Sequence, residues 1–484
     1  MLTGRVLAQK RFLIVLLATV LVVEASLASV SPVFCQVDQE EQVYYGFVPS
    51  RIYVNWTMRS FYGQGYRIER EGGAREGLDN ASIRDKASLE LVGNHDATTV
   101  KVYSLPRKEL LAEIRLDRLQ RKTVTLPTGS FAKVVSSRPV TVELIGGVDM
   151  ETSRFNFNSF YTGTDGGYVG KEFIFLAVQG KGSVPYDVLA LEDGDVTLWD
   201  GSGAKVMEFR LQANKFKQLS LTSYTVYDLV STGNLMLQSF KTETGHPLQQ
   251  YLPDSTYYPA VEGSFLGKTF YGSTDEVLTV MAPGRNFILT AEQPSKVSLT
   301  DLDTKQKIAD LDVSEGRALN WRPKDIFPGM IATSERPMMF SYKDDDLDDG
   351  GLAYTGLRAG QTAIFAIPPG ESYLFAYKDT KVTLDDLQIN VAADTYLLLT
   401  EGSHKVSTDA NVVIEVVNLA PEQGLRGFGD CLPSVQSLSI TPDVRLRPVS
   451  EEAPLLYYAV GAVTAAVVIA LIALRSRRRA RATR

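Results

Sequence analysis

The chain has 484 residues, 44% of them hydrophobic, more than one compact core usually serves, so several domains or a repeat array are expected. Asp and Glu outnumber Lys and Arg by 57 to 50, and basic residues crowd into the two ends, so the part between is more acidic than the formal charge of -7 and argues against nucleic acid as a ligand. Three histidines (His95, His246, His404) and two cysteines leave little for metal or nucleophilic chemistry; no G-x-S-x-G, H-E-x-x-H, C-x-x-C or phosphate-binding glycine motif occurs, and an enzyme is not expected.

At the N-terminus, Arg5, Lys10 and Arg11 precede the apolar stretch Phe12 to Val23, and the small residues Ala25, Ser26, Ala28 and Ser29 follow. This is the pattern of a secretory signal peptide over 1–28, with an uncleaved anchor as the other reading. Cys35 and Cys431 bracket everything globular, 36–419, and in an exported chain are a candidate disulfide; otherwise Cys35 belongs to the leader or a lipid anchor. Asn55 (NWT) and Asn80 (NAS) are candidate glycosylation sites.

From residue 43 a pattern recurs four times, in units of about 43–150, 168–245, 264–345 and 357–419. Each has an apolar strand, a polar turn and an alternating strand: LELVGNHDATTVKV from Leu89, VLALEDGDVTL from Val188, FILTAEQPSKVSL from Phe287 and YLFAYKDTKVTL from Tyr373. Val100, Val196, Val297 and Val382 correspond. A second hairpin follows in each, with a Ser or Thr pair before its turn: KVVSSRPVTVEL from Lys133, YDLVSTGNLMLQSF from Tyr227, MIATSERPMMFSY from Met330 and HKVSTDANVVIEVV from His404. An opening strand stands ahead of three units, at Gly170, Gly267 and Gly360, without a clear copy in the first. Period-2 alternation and the absence of a sustained 3.6-residue stripe make the repeats all-β. Seven strands per unit fits tandem β-sandwiches. Eight fits two propeller blades, and a β-propeller-like ring is preferred because linkers are absent, the cysteines would staple its ends and the first unit is irregular.

The order of a GK-F opening, an acidic turn leading to V-T-L, a central strand pair and a closing hairpin with Ser before Arg-Pro-Val resembles the N-terminal repeat region of the IgG Fc-binding protein family, which has surface adhesin-like members in bacteria and archaea. SSRPVTV at Ser136 and TSERPMM at Thr333 approach the family's closing element, while STGNLML at Ser231 and STDANVV at Ser407 lack the proline. DSTYYPAVEGSFLGKTF from Asp254 is similar to its approach to a new repeat. Over 88–419 the resemblance implies a repeat architecture and a general adhesive role. It carries over no binding residue and does not make immunoglobulin the ligand.

Aromatic residues gather ahead of the units, and Tyr257 and Tyr258 are singled out as binding candidates, since exposed tyrosines make platforms for protein or glycan; packing between units is the alternative. In KDDDLDDGG, Asp344, Asp346 and Asp348 alternate like the first ligands of a calcium loop, so Ca²⁺ is the one cofactor candidate. Asp349 where glycine is needed and Thr355 where a bidentate glutamate belongs favour a solvated connector instead.

Five prolines in 420–454 read as an extended stalk. Leu455 to Leu474 is an uncharged apolar run; at 1.5 Å per residue it covers the roughly 30 Å hydrocarbon core as a transmembrane helix. Six arginines in the tail 475–484 hold the C-terminus in the cytoplasm and place the large domain outside. The expectation is a single-pass cell-surface protein for recognition or adhesion, binding an extracellular protein or glycan. A structural envelope component, such as a surface-layer anchor or a self-assembling subunit, is the alternative, and an exported hydrolase the third.

Overall fold

The computed structural model describes residues 40–50, 56–61, 65–70, 86–146, 159–177, 183–222, 224–239, 255–273, 285–323, 329–344, 351–418 and 428–449. The signal peptide, Cys35, Asn55, Asn80, Asp346, Asp348 and the 455–474 run lie outside these. Among the described residues no helix is long and apolar enough to cross a membrane. The fold is all-β.

The second unit shows the plan. The long strand Thr225–Ser239 pairs in its first part with Gly170–Ala177 and Gly194–Asp200, and in its last part with Ser183–Ala190 and Ser159–Tyr161. Lys205–Leu211 flanks Gly194–Asp200, and Lys215–Thr222 flanks Ser183–Ala190. The third unit repeats this around Met330–Asp344. In the first and fourth units the long strand is two, Phe131–Ser136 with Val140–Gly146 and Gly402–Thr408 with Val412–Asn418, and the two four-stranded sheets separate. Each unit is therefore a module of two sheets joined at a bend. The strand order of the described residues does not confirm the expected propeller-like blades, because each sheet interleaves strands from both halves of its module.

The bend explains the recurring Ser or Thr. Val100, Val196, Val297 and Val382, all buried, pair with Ser136, Ser231, Ser334 and Thr408. There the backbone leaves one sheet for the other, as at the corners of orthogonal packings. Ser136 Oγ donates to Arg138 O at 2.6 Å and Ser334 Oγ to Arg336 O at 2.7 Å, while Ser231 Oγ accepts from Gly233 N at 3.2 Å, so side chains satisfy groups that the ladder drops. The acidic turn is structural too: Asp193 and Asp379 accept the amides of Ala213 and Ala393 at 2.8 Å. Leu119, Asn214, Gly316 and Asp394 hold one equivalent place, with φ of 67°, 59°, 64° and 58°. Each donates its amide to the last residue of an earlier strand of its module, Gly93 of Lys86–Gly93, Ala190 of Ser183–Ala190, Ala291 of Arg285–Ala291 and Ala376 of Ser372–Ala376.

The first module does have its opening strand, Gln42–Phe47, paired with Phe131–Ser136. Among the described residues no strand precedes it, whereas Ser159–Tyr161, Ser255–Tyr257 and Gly351–Leu357 precede the opening strands of the other modules. Phe428–Cys431 from the far end of the chain takes that place. Its Cys431 pairs with Glu143, as Phe160 pairs with Gln238, Tyr257 with Ser341 and Tyr354 with Glu415. The Phe428 ring lies where a β-carbon on Gly146 would sit, 2.4 Å away, so glycine is required there.

The junction of fourth and first modules copies that of second and third. Tyr45 donates its hydroxyl to Asp394 at 2.8 Å, and the equivalent Tyr271 donates to Asn214 at 2.6 Å. Phe47 N donates to Glu415 at 2.6 Å, and Ser273 N to Gln238 at 2.6 Å. The modules thus follow one another in a cycle that the last strand closes. Beyond that strand the chain crosses the other modules. Val435 N donates to Val43 O, a β-carbon on Gly263 would meet Ile440 O at 2.3 Å, Arg358 donates to Thr441, and Asn214 to Arg447 O. Residues 428–449, expected within an extended stalk, are part of the fold, with Leu432, Val435 and Leu438 buried.

Candidate functional site

Where the third and fourth modules meet, the surface opens into a cleft of about 300 Å³, at the lower end of ligand-site volumes. Ser255–Tyr257 and Met330–Asp344 bring Tyr257, Ser341 and Tyr342 to one wall, and Thr362–Ile367 brings Ile367 to the other. Pro368 and Pro369 lack the donors to continue that strand and line the cleft after it. The exposed rim is polar, with Asn320, Glu401 and Ser403. An apolar wall of two tyrosines and two prolines under a polar rim suits a ring-shaped or peptide-like group, with hydrogen-bonding groups at its edge.

Beside the cleft, His404 Nδ1 lies 2.6 Å from Asp385 Oδ2, and Nε2 lies 2.9 Å from Thr400 O and 3.4 Å from Thr400 Oγ1. The set has the residue types of a nucleophile, base and orienting acid. Both ring nitrogens face acceptors, however, so neither is free to take a proton from the Thr400 hydroxyl. The histidine clamps its hairpin.

A second polar cluster is interior. Glu143, Glu415 and Asp430 are buried on the short inner strands and their partners. Asp430 accepts the amides of Tyr354 and Cys431 at 2.9 and 2.8 Å, Glu415 that of Phe47, and Glu143 that of Leu176 at 3.3 Å. Burial pushes the Asp430 carboxyl up to about 8 against these bonds and drives Glu143 and Glu415 well above the carboxylate range. All three bind across module boundaries. Among the described residues no group of histidines, cysteines and carboxylates is placed to hold a metal.

Of the residues chosen from sequence, Tyr258 is fully buried and its hydroxyl donates to Ser273 O at 3.0 Å; it is core and not a platform. Tyr257 is 7% exposed, lines the cleft and donates to Ala366 O at 3.4 Å. The reading of both as exposed platforms is corrected, since they stand on or beside the short strand that each module packs inward. Asp344 ends the strand Met330–Asp344, but its two companions lie outside the described residues. Cys431 is a buried thiol in the closing strand, its amide donating to Ser159 Oγ at 2.9 Å. Sequence reasoning missed Asn320, Pro368, Pro369 and Ser403, whose only signal was the Pro-Pro pair ending an apolar strand.

No protein-family model matches this sequence, and no curated protein does. Among solved structures, a conserved protein of unknown function from Pseudomonas aeruginosa is similar at 13% identity and a TM-score of 0.14, over 32% of this chain and 76% of that one. Dimeric latent PorU from Porphyromonas gingivalis is similar at 10% identity and a TM-score of 0.12, over 51% of this chain and 33% of that one. Likenesses at this level identify no shared fold.

Proposed function

We propose that this is a cell-surface recognition protein whose four modules close into one ring, held outside the cell by the 455–474 helix, and that it takes its partner in the cleft between the third and fourth modules. The observation that carries the reading is the cleft itself, a tyrosine- and proline-walled recess with a polar rim at a module boundary. Boundary sites of this kind suit an extracellular protein segment or a glycan, because aromatic faces accept apolar rings and edges while the rim fixes orientation. Catalysis is not part of the proposal: the His404 set is satisfied internally, and the buried acids join modules.

Filling the cleft tests it. Asn320→Trp and Ser403→Trp change exposed residues, so folding is retained, and each should reduce attachment of cells carrying the full chain to their surface partner by tenfold or more. Unchanged attachment with the cleft filled sinks the reading. Protease added to intact cells should remove everything outside the helix and its basic tail; protection of the modules would refute the orientation.

A further inference from the structure

The four modules do not guard their outer sheet edges alike. In the first three, the outer strands Glu109–Leu116, Lys205–Leu211 and Lys307–Val313 each carry three charged residues. Each also carries a bulge, where the register skips Leu111 opposite Val102 and Tyr103, Val206 opposite Leu198 and Trp199, and Ile308 opposite Leu299 and Thr300. Charges and bulges are the means by which proteins keep exposed edges from pairing with another chain. The fourth module has neither. Its outer strand is Leu387–Val391, LQINV, without a charge, and its register from Thr380↔Val391 to Leu384↔Leu387 is unbroken. Asp385 and Asp386, with φ of 48° and 71°, make the two-residue turn whose twist keeps such a hairpin regular. No described strand pairs with its other side. Leu387, 64% exposed here, and Leu398, 53% exposed on the module's second edge, are the two most exposed large apolar residues among those described.

We propose that Leu387–Val391 pairs antiparallel with the same strand of a second copy of this chain, about a two-fold axis at Ile389. The sequence of the strand is its own complement in that register. Leu387 falls opposite Val391, Gln388 opposite Asn390 and Ile389 opposite itself, so apolar residues meet on one face and amides on the other. A foreign strand would not require this symmetry. The fold also takes a strand at a module edge elsewhere, where Phe428–Cys431 joins the first module.

The test uses the full chain in its membrane. Ile389→Cys should form an intermolecular disulfide on mild oxidation, because directly opposed residues bring their β-carbons within bonding range; Val206→Cys, 45% exposed on a guarded edge, should not. Gln388→Lys with Asn390→Lys places like charges opposite one another and should weaken self-association at least tenfold, without lowering the unfolding temperature. Mixing that variant with Gln388→Glu, Asn390→Glu should restore pairing, exclusively as the mixed species. The proposal fails if the wild-type chain stays single at all concentrations, if the lysine pair leaves association unchanged, if the charge-matched mixture stays apart, or if a different protein's strand occupies the edge.

Discussion

The second module takes all its strands from one stretch, Ser159 to Ser239, whereas the first borrows one from the far end of the chain, yet the registers around Gln238 and Glu143 are the same. Two junctions differ in a parallel way. Second meets third through the neutral Gln238 and Asn214, and fourth meets first through Glu415 and Asp394 at the same positions. Covalent continuity is thus replaced by burial of titratable acids, with a charge-assisted bond at Asp394 and a proton-holding Glu415, so the closing side should respond to mutation and pH in ways that the continuous side does not.

The largest effect should come from the closing strand. Phe428→Ala removes a buried ring packed over Gly146 and should cost about 3–5 kcal/mol in denaturant unfolding, with the first module opening before the second. Opening of all modules together would show that the borrowed strand carries no special share of the stability.

Changing pH comes next. With Asp430 at about 8 and Glu415 also raised by burial, the folded chain holds protons that the unfolded chain releases once pH passes the ordinary carboxylate range. The Asp430 stabilisation is complete at acid pH and falls as pH rises toward about 8, by about 1.4 kcal/mol per pH unit, and Glu415 adds a slope of the same sign. Glu415→Gln makes the closing junction resemble the second–third one and should flatten that slope, read as unfolding temperature against pH. An unaltered slope would place the pH dependence elsewhere.

Tyr45→Phe and Tyr271→Phe form a matched pair of smaller size. Tyr271→Phe should cost about 1 kcal/mol, and Tyr45→Phe about 1.5–3, because its acceptor Asp394 is a carboxylate, held below its usual range by Lys133, Lys108 and Tyr45 in spite of its burial. Equal costs would remove the distinction between the junctions. Smallest of all, Lys405→Ala, which breaks the exposed pair with Glu292 at 2.9 Å, should leave the unfolding midpoint unmoved.

Much of this architecture was legible from local pattern. The four corresponding valines, the Ser or Thr before each closing turn and the acidic turns are short-range features; the valines proved to be the buried partners of each bend, and the polar residues to be hydrogen-bonding devices at bend and turn. Strand order was not legible, since sheets that interleave strands from both halves of a module are decided by long-range pairing. The closing strand Phe428–Cys431 is four residues without alternation, flanked by glycine and proline, and its partner Val140–Gly146 is remote in sequence. The irregular first unit was its only trace. At the cleft, counting tyrosines could not separate Tyr258, in the core, from Tyr257, on a wall, because adjacent residues leave an extended strand in opposite directions.

Hydrogen exchange on the full chain tests the closed cycle most directly. If Phe428–Cys431 completes the first module, the ladder amides joining it to Glu143–Gly146, and the Tyr354 amide bound to Asp430, should exchange as slowly as those joining Ser159–Tyr161 to Leu237–Ser239 in the second module. Exchange of the closing strand at the rate of open chain, with the second module still protected, would contradict it.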